Sequence, residues 1–273
     1  MTIKKIKYKD LELEYLDFGE GKETVICFHG HGKSAEDFLF LEKKRVRVIS
    51  INLFLHGNST FSKDRISKRL IQKKDVEKLL ENILVKEDIQ HFHLVAYSQG
   101  GRFVLTILPS FYDRILSVHL LAVDGLNDKN FYSWSQRRWW ARLLFRRWTK
   151  KPSELIGIAQ FLAKRKIIHS KIVDFLKYYA EDKSKLRLAY KTWSAFRALR
   201  PNYKLLKETF SNKEKRFKLI LGKNDQIITV KSGKQFLRKI AREDALVIID
   251  CGHDFFREEA LLLVEKEIKF KAP

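Results

Sequence analysis

The chain has 273 residues and an apolar share of 45%, enough to bury the core of one large α/β domain or of a core carrying one insertion. No run of eighteen apolar residues occurs and the basic stretch Met1 to Asp10 lacks an apolar segment, so the expectation is a cytoplasmic protein without transmembrane helix or signal peptide. Cys27 and Cys251 read as reduced, packed thiols, and 55 Lys+Arg against 33 Asp+Glu leave a formal charge of +22 that favours anionic partners or forms a solvated face.

Ile3–Lys9 and Leu11–Asp17 alternate apolar and polar residues, the period of half-buried strands. Thr24–Phe28 reads as a strand, followed by a Gly-rich turn and a helix from about Ser34. Val46–Ile51 is the next strand, and a polar loop runs through His56, Gly57 and Asn58. Asp64–Lys86 repeats apolar residues at helical spacing. His91–Ala96 predicts a strand, Gly100–Leu108 a helix ending before Pro109, and Ile115–Val123 a strand ending at Asp124 and Gly125. Further on come strand Phe217–Leu221, helix Lys231–Ile240, strand Leu246–Ile249 and a closing helix over Phe255–Phe270. Alternation of this kind predicts an α/β fold with a mostly parallel sheet and helices on both faces, because parallel strands need crossover connections.

One stretch breaks the rhythm. Leu126–Asn212 has helical periodicity only, holds all five tryptophans, and carries 21 Lys+Arg against 6 Asp+Glu. It reads as an all-helical cap inserted at 126–212 into a core formed by 1–125 and 213–273.

The strongest local motif is Ala96-Tyr97-Ser98-Gln99-Gly100-Gly101, directly after a strand and before a helix. A serine there stands on a tight turn at the carboxyl edge of the sheet, with small residues two places before and after where backbones crowd. Serine needs a base, and the base needs an orienting carboxylate. His253 follows the last strand and Asp225 the strand before it, which gives the order Ser, Asp, His at strand ends where ligand groups of open sheets gather. Asp124, one strand earlier, is the rival acid, and Asp225 has a second reading as a helix N-cap.

These motifs resemble the α/β-hydrolase family over nearly the whole chain, with Ala96 departing mildly from the family's usual glycine. Thr24–Phe28 followed by His29-Gly30-His31-Gly32 is similar to the family's oxyanion strand and loop. The resemblance implies that the backbone N–H groups of His31 and Gln99 hold a developing oxyanion. Asn52–Ser59 resembles the family's second Gly-containing loop, with Asn52 in place of the usual aspartate.

Other motifs carry less. Gly32-Lys33-Ser34 lacks the upstream glycine of a phosphate-binding loop, since Cys27 occupies that place. His29 and His31 have no third ligand cluster at metal spacing, and His91 and His93 read as structural. Asp254 faces solvent or caps the last helix, and Cys251 is a packed thiol.

Within the cap, Trp134–Lys151 places Trp140, Leu143, Leu144 and Trp148 on one stripe and Arg138, Arg142 and Arg146 on another, a basic amphipathic helix. Its apolar stripe would pack inward or dock on an anionic membrane. Tyr97, Trp140, Trp193 and Arg197 are the candidate substrate contacts.

The expectation is a serine hydrolase acting on a carboxylic ester or related acyl substrate, without metal or organic cofactor. Carbon–carbon bond hydrolysis of a diketone-type acid is the alternative, with Trp193 and Arg197 the residues to examine. A non-enzymatic binding protein using its basic cap on anionic lipid or nucleic acid is the reading from another class, with nucleic acid the disfavoured partner.

Overall fold

A computed structural model describes residues 1–127, 138–168, 170–211 and 215–270. It divides into two compact units, the first made of Met1–Ser62, Gln72–Asn127 and Leu199–Pro273, the second of Lys63–Ile71 and Asp128–Ala198.

The first unit is built on a nine-stranded sheet: β1 Thr2–Tyr8, β2 Leu11–Phe18, β3 Thr24–Phe28, β4 Arg47–Ile51, β5 Thr60–Phe61, β6 Phe92–Tyr97, β7 Ile115–Leu121, β8 Arg216–Gly222 and β9 Leu246–Ile249. The spatial order is β1-β2-β4-β3-β6-β7-β8-β9, with β5 paired to β2. Pairing is antiparallel wherever β2 takes part and parallel from β4 through β9. The central strands β3 and β6 are buried at every position, as strands covered on both faces must be. The helices of this unit are α1 Lys73–Lys86, α2 Gly100–Phe111, α7 Tyr203–Thr209, α8 Val230–Ile240 and α9 Glu258–Glu267.

Two helix expectations are corrected. Asp64–Lys86 is not one helix: a 3-10 turn at Lys63–Ile66 is separated from α1, which starts where Asp75 accepts a hydrogen bond from the Gln72 N–H (3.0 Å). Helix α2 runs through Pro109 to Phe111 rather than stopping before it. Proline removes one backbone donor; burial of Val104, Leu105, Ile107, Leu108 and Phe111 carries the helix past that loss.

The second unit is helical among its described residues: α3 Trp139–Trp148, α4 Pro152–Lys164, α5 Ser170–Ala180 and α6 Lys183–Ala195, with short 3-10 turns at Lys63–Ile66 and Phe196–Ala198. Residues 199–211, expected in the cap, pack instead with the first unit, where α7 lies against α2 and α8. The second unit has its own small core of Phe145, Trp148, Leu155, Leu186 and Ala189. No described helix is long and apolar enough to cross a membrane.

Candidate active site

The parallel strands β3, β6, β8 and β9 deliver their following residues to one edge of the sheet, and every residue of the site lies in the first unit. Ser98 links β6 to α2 with φ +46°. A non-glycine residue in that region costs on the order of 1–3 kcal/mol and persists only where its surroundings hold it. The hold is visible here. The Ser98 N–H donates to the Leu121 carbonyl (3.0 Å), and the Ser98 carbonyl accepts from Gly101 (3.0 Å) and Asp124 (2.7 Å).

The turn also explains two glycines. A Cβ on Gly100 would lie 2.1 Å from the Phe28 carbonyl oxygen, and one on Gly30 would lie 2.7 Å from the Tyr97 ring and 2.9 Å from the Ser98 Cβ. Neither position has room for a larger residue.

Ser98 Oγ is 3.1 Å from Nε2 of His253, and His253 Nδ1 is 2.7 Å from Oδ2 of Asp225. The Asp225 side chain is fully buried, and its other oxygen accepts from the N–H groups of Ile227 (2.7 Å) and Ile228 (2.9 Å). An ionised carboxylate only accepts, so Nδ1 of His253 carries the proton and Nε2 is left to accept from the serine hydroxyl. Asp225 is not a helix cap; Thr229 caps α8. The rival acid Asp124 is engaged elsewhere. It makes a two-point contact with Arg102 (2.8 and 3.1 Å), which also donates to the Leu199 carbonyl (3.1 Å).

Two loops beside Ser98 are latched by histidines. His29 Nε2 accepts from the Leu53 N–H (2.9 Å) while its Nδ1 donates to the Gly30 carbonyl (2.6 Å). Reciprocally, His56 Nε2 accepts from the Gly32 N–H (3.0 Å) while its Nδ1 faces the Phe54 carbonyl (3.2 Å). Both rings are therefore neutral. Burial lowers the pKa of each, and burial together with neighbouring His56 lowers that of His31, whose ring stands edge-on to His56 at 5.6 Å. The His29–Gly32 loop, which supplies the His31 N–H, is thus tied to the loop after β4. In that second loop the carboxylate expected at Asn52 has moved to β2: Glu14 accepts from Asn52 Nδ2 (2.8 Å) and from both Asn58 nitrogens (3.0 and 2.6 Å).

Several expected roles change. Tyr97 is 3% exposed, and its hydroxyl donates to the His253 carbonyl (2.8 Å) while its ring packs on Phe256 (4.9 Å). Its hydroxyl and ring brace the histidine loop. Arg197 donates to the carbonyls of Ile66 (2.8 Å) and Ser67 (3.2 Å), which makes it a brace within the helical unit. Trp193 packs on Phe145 at 5.4 Å in the core of that unit, and Trp140 is exposed. The stripe expected on α3 is rotated: Ala141, Phe145 and Trp148 face inward, and Leu143 and Trp140 face out. Trp134 lies outside the described residues.

Sequence reasoning missed the Lys33–Asp254 ion pair (3.1 Å), which joins the loop after β3 to the loop after β9, with Lys33 also over the Phe256 ring. Only the folded sheet brings those two loops together. Cys27 is buried and Cys251 half-buried, both free, with the Cys251 thiol pushed up to about 11 by burial and nearby carboxylates. Among the described residues no group of three or more His, Cys, Asp or Glu side chains is placed to hold a metal ion.

Comparison with known proteins gives a consistent picture. A family model described as alpha/beta hydrolase fold matches residues 23–260. Among solved structures, the chain is similar to a thermophilic esterase from Thermogutta terrifontis, with TM-score 0.68 and 16% identity over 98% of this chain and 97% of that one. It is also similar to an enol-lactonase from Burkholderia xenovorans LB400, with TM-score 0.66 and 16% identity over 97% and 98% of the two chains. A curated relative is the dihydrolipoyllysine-residue acetyltransferase component of an acetoin cleaving system from Pseudomonas putida, 31% identical over 117 residues. That match takes in 40% of this chain and 29% of the relative's length.

Proposed function

The chain belongs to the alpha/beta hydrolase fold family, and from that premise we propose that it is a serine hydrolase cleaving a carboxylic ester. The observation that carries this reading is the hydrogen-bonded series from Ser98 Oγ through His253 to Asp225, at 3.1 and 2.7 Å, with the serine held at φ +46°.

In the proposed reaction neutral His253 takes the hydroxyl proton at Nε2 as Ser98 Oγ attacks the ester carbonyl. Asp225 keeps the proton of the ring on Nδ1 and stabilises the imidazolium that forms. The N–H groups of His31 and Gln99 receive the oxyanion of the tetrahedral intermediate, each such donor being worth about 3 kcal/mol in the transition state. The imidazolium then protonates the leaving alcohol, and the C–O bond breaks to give an acyl-enzyme. A water molecule, deprotonated by His253, repeats the sequence and releases the acid and Ser98.

Arg197, a residue to examine for the diketone-acid alternative, donates to the backbone carbonyls of Ile66 and Ser67.

The test is turnover of a short-chain p-nitrophenyl ester series. Wild-type protein is expected to hydrolyse at least one member with release of the acid, and Ser98→Ala to lose about a millionfold in turnover. No turnover across the series, or equal turnover by the variant, overturns the proposal.

A further inference from the structure

The helical unit carries a second feature that ester chemistry does not use. The unit holds 22 Lys+Arg against 6 Asp+Glu, a net +16 of the chain's +22. Among the described residues, it also holds every exposed large aromatic: Trp139, Trp140, Phe161 and Tyr178.

The two properties share helices. The inward face of α3 packs Phe145 and Trp148 into the small core. Its outward face sets Trp139 (67% exposed) and Leu143 (54%) beside Arg138 and Arg146, while Arg147 pairs with Glu154 (2.8 Å). Helix α4 repeats the design. Leu155 and Ala159 are buried, while Ile158 (44%) and Phe161 (54%) stand out beside Lys164 and Arg165, with the Arg165 guanidinium 4.9 Å over the Phe161 ring. Beyond the helix end Ile167 is 66% exposed, next to Lys166.

Apolar side chains scattered singly on a surface need no explanation, but aromatic and aliphatic groups interleaved with cations on consecutive helices do. We propose that α3 and α4 dock this protein on anionic lipid membranes, with Trp139, Leu143 and Phe161 entering the headgroup boundary and the flanking cations meeting lipid phosphate. Charge complementarity names the partner. A helix face of Trp, Phe and Leu among Lys and Arg suits an interface that is apolar below and anionic above. A nucleic acid would satisfy the cations and could stack on aromatic rings. It would leave Leu143, Ile158 and Ile167 in water, so lipid fits the whole surface better. This inference stands on the helical unit alone and is independent of the ester reading.

The experiment is sedimentation with vesicles of phosphatidylcholine, or of phosphatidylcholine and phosphatidylglycerol in equal parts, alongside binding to a single-stranded oligonucleotide. Wild-type protein is expected to pellet with the anionic vesicles, less so as salt rises, and with a blue-shifted tryptophan emission. The combined variant Arg138→Gln, Arg146→Gln, Lys164→Gln should bind about a hundredfold more weakly, at roughly fivefold per cation. The combined variant Trp139→Ser, Leu143→Ser, Phe161→Ser should lose vesicle binding at every salt concentration while keeping wild-type helicity, since all three side chains are exposed.

Failure of wild-type protein to pellet with anionic vesicles overturns the proposal. So does unchanged vesicle binding by the apolar variant, or tighter binding to the oligonucleotide than to vesicles. Turnover of a soluble ester is read separately, so loss of one function leaves the other measurable.

Discussion

The two units of this protein are specified by different kinds of information. The first has 33 Lys+Arg and 27 Asp+Glu, and its chemistry is fixed by position. Ser98, Asp225 and His253 lie at the ends of three strands of one sheet, and their neighbours are mostly backbone atoms. The helical unit has a quarter of the opposing charge and its character is carried by which side chains its helices leave outside. A site set by backbone geometry should tolerate almost no change at its contact points. A surface set by composition should respond in proportion to the residues removed.

The largest contrast is expected at the proposed reacting groups. Ser98→Ala or His253→Ala should reduce ester turnover about a millionfold, whereas Asp225→Asn should cost roughly ten-thousandfold by favouring the wrong tautomer. A single exposed change in the other unit, Trp139→Ser, should leave soluble-ester turnover within a factor of two. Steady-state kinetics on one p-nitrophenyl ester compares them all, and a large loss in Trp139→Ser would erase the contrast.

Next in size is Gly100→Val. Its Cβ must displace the Phe28 carbonyl, at 2.1 Å, so a destabilisation of at least about 3 kcal/mol is expected in urea unfolding. A stable, active variant would show that the turn is not held as described.

A subtler test concerns the loop latch. His56→Ala leaves the Gly32 N–H without its acceptor and should lower kcat about 10- to 100-fold with little change in KM, because it misplaces the His31 N–H rather than substrate. A rise in KM alone would assign His56 to substrate binding.

The smallest effect is acid lability. His29, His31, His56, His93 and His119 all have pKa values lowered by burial, with His93 at about 4 and His119 at about 3. A lowered folded-state pKa means the unfolded chain binds the proton first as pH falls through about 6.5. The stability these neutral rings contribute is therefore complete above that pH and is lost progressively below it. Each ring contributes up to about 1.4 kcal/mol per pH unit. His119 isolates the effect, since neither of its buried ring nitrogens has a hydrogen-bond partner among the described residues. His119→Leu should be neutral or stabilising at pH 7.5 and should flatten the decline toward pH 5, as read by urea unfolding at the two values. An unaltered pH slope would remove His119 from the account.

The same contrast explains what could be read from the chain. Strand β9 falls on Leu246–Ile249 as its apolar run predicts, and the loop positions of Ser98, Asp225 and His253 follow from where apolar runs end. Local pattern suffices there because buried parallel strands are short apolar runs bounded by turns. Contacts between distant loops were not legible. Nothing near Tyr97 announces that its hydroxyl will reach the His253 carbonyl, and nothing near Lys33 announces Asp254. In the helical unit, periodicity located α3 but not its rotation. Trp140 and Leu143 fit an apolar stripe as well as Ala141 and Phe145 do, and only packing against α6 decides which pair turns inward.

The central claim is that Ser98 is a nucleophile activated by His253. Peptide mapping after reaction with a fluorophosphonate tests it most directly. One covalent adduct is expected on the peptide containing Ser98, absent in Ser98→Ala and formed far more slowly in His253→Ala. An unlabelled wild-type protein, or an adduct that persists in Ser98→Ala, would contradict it.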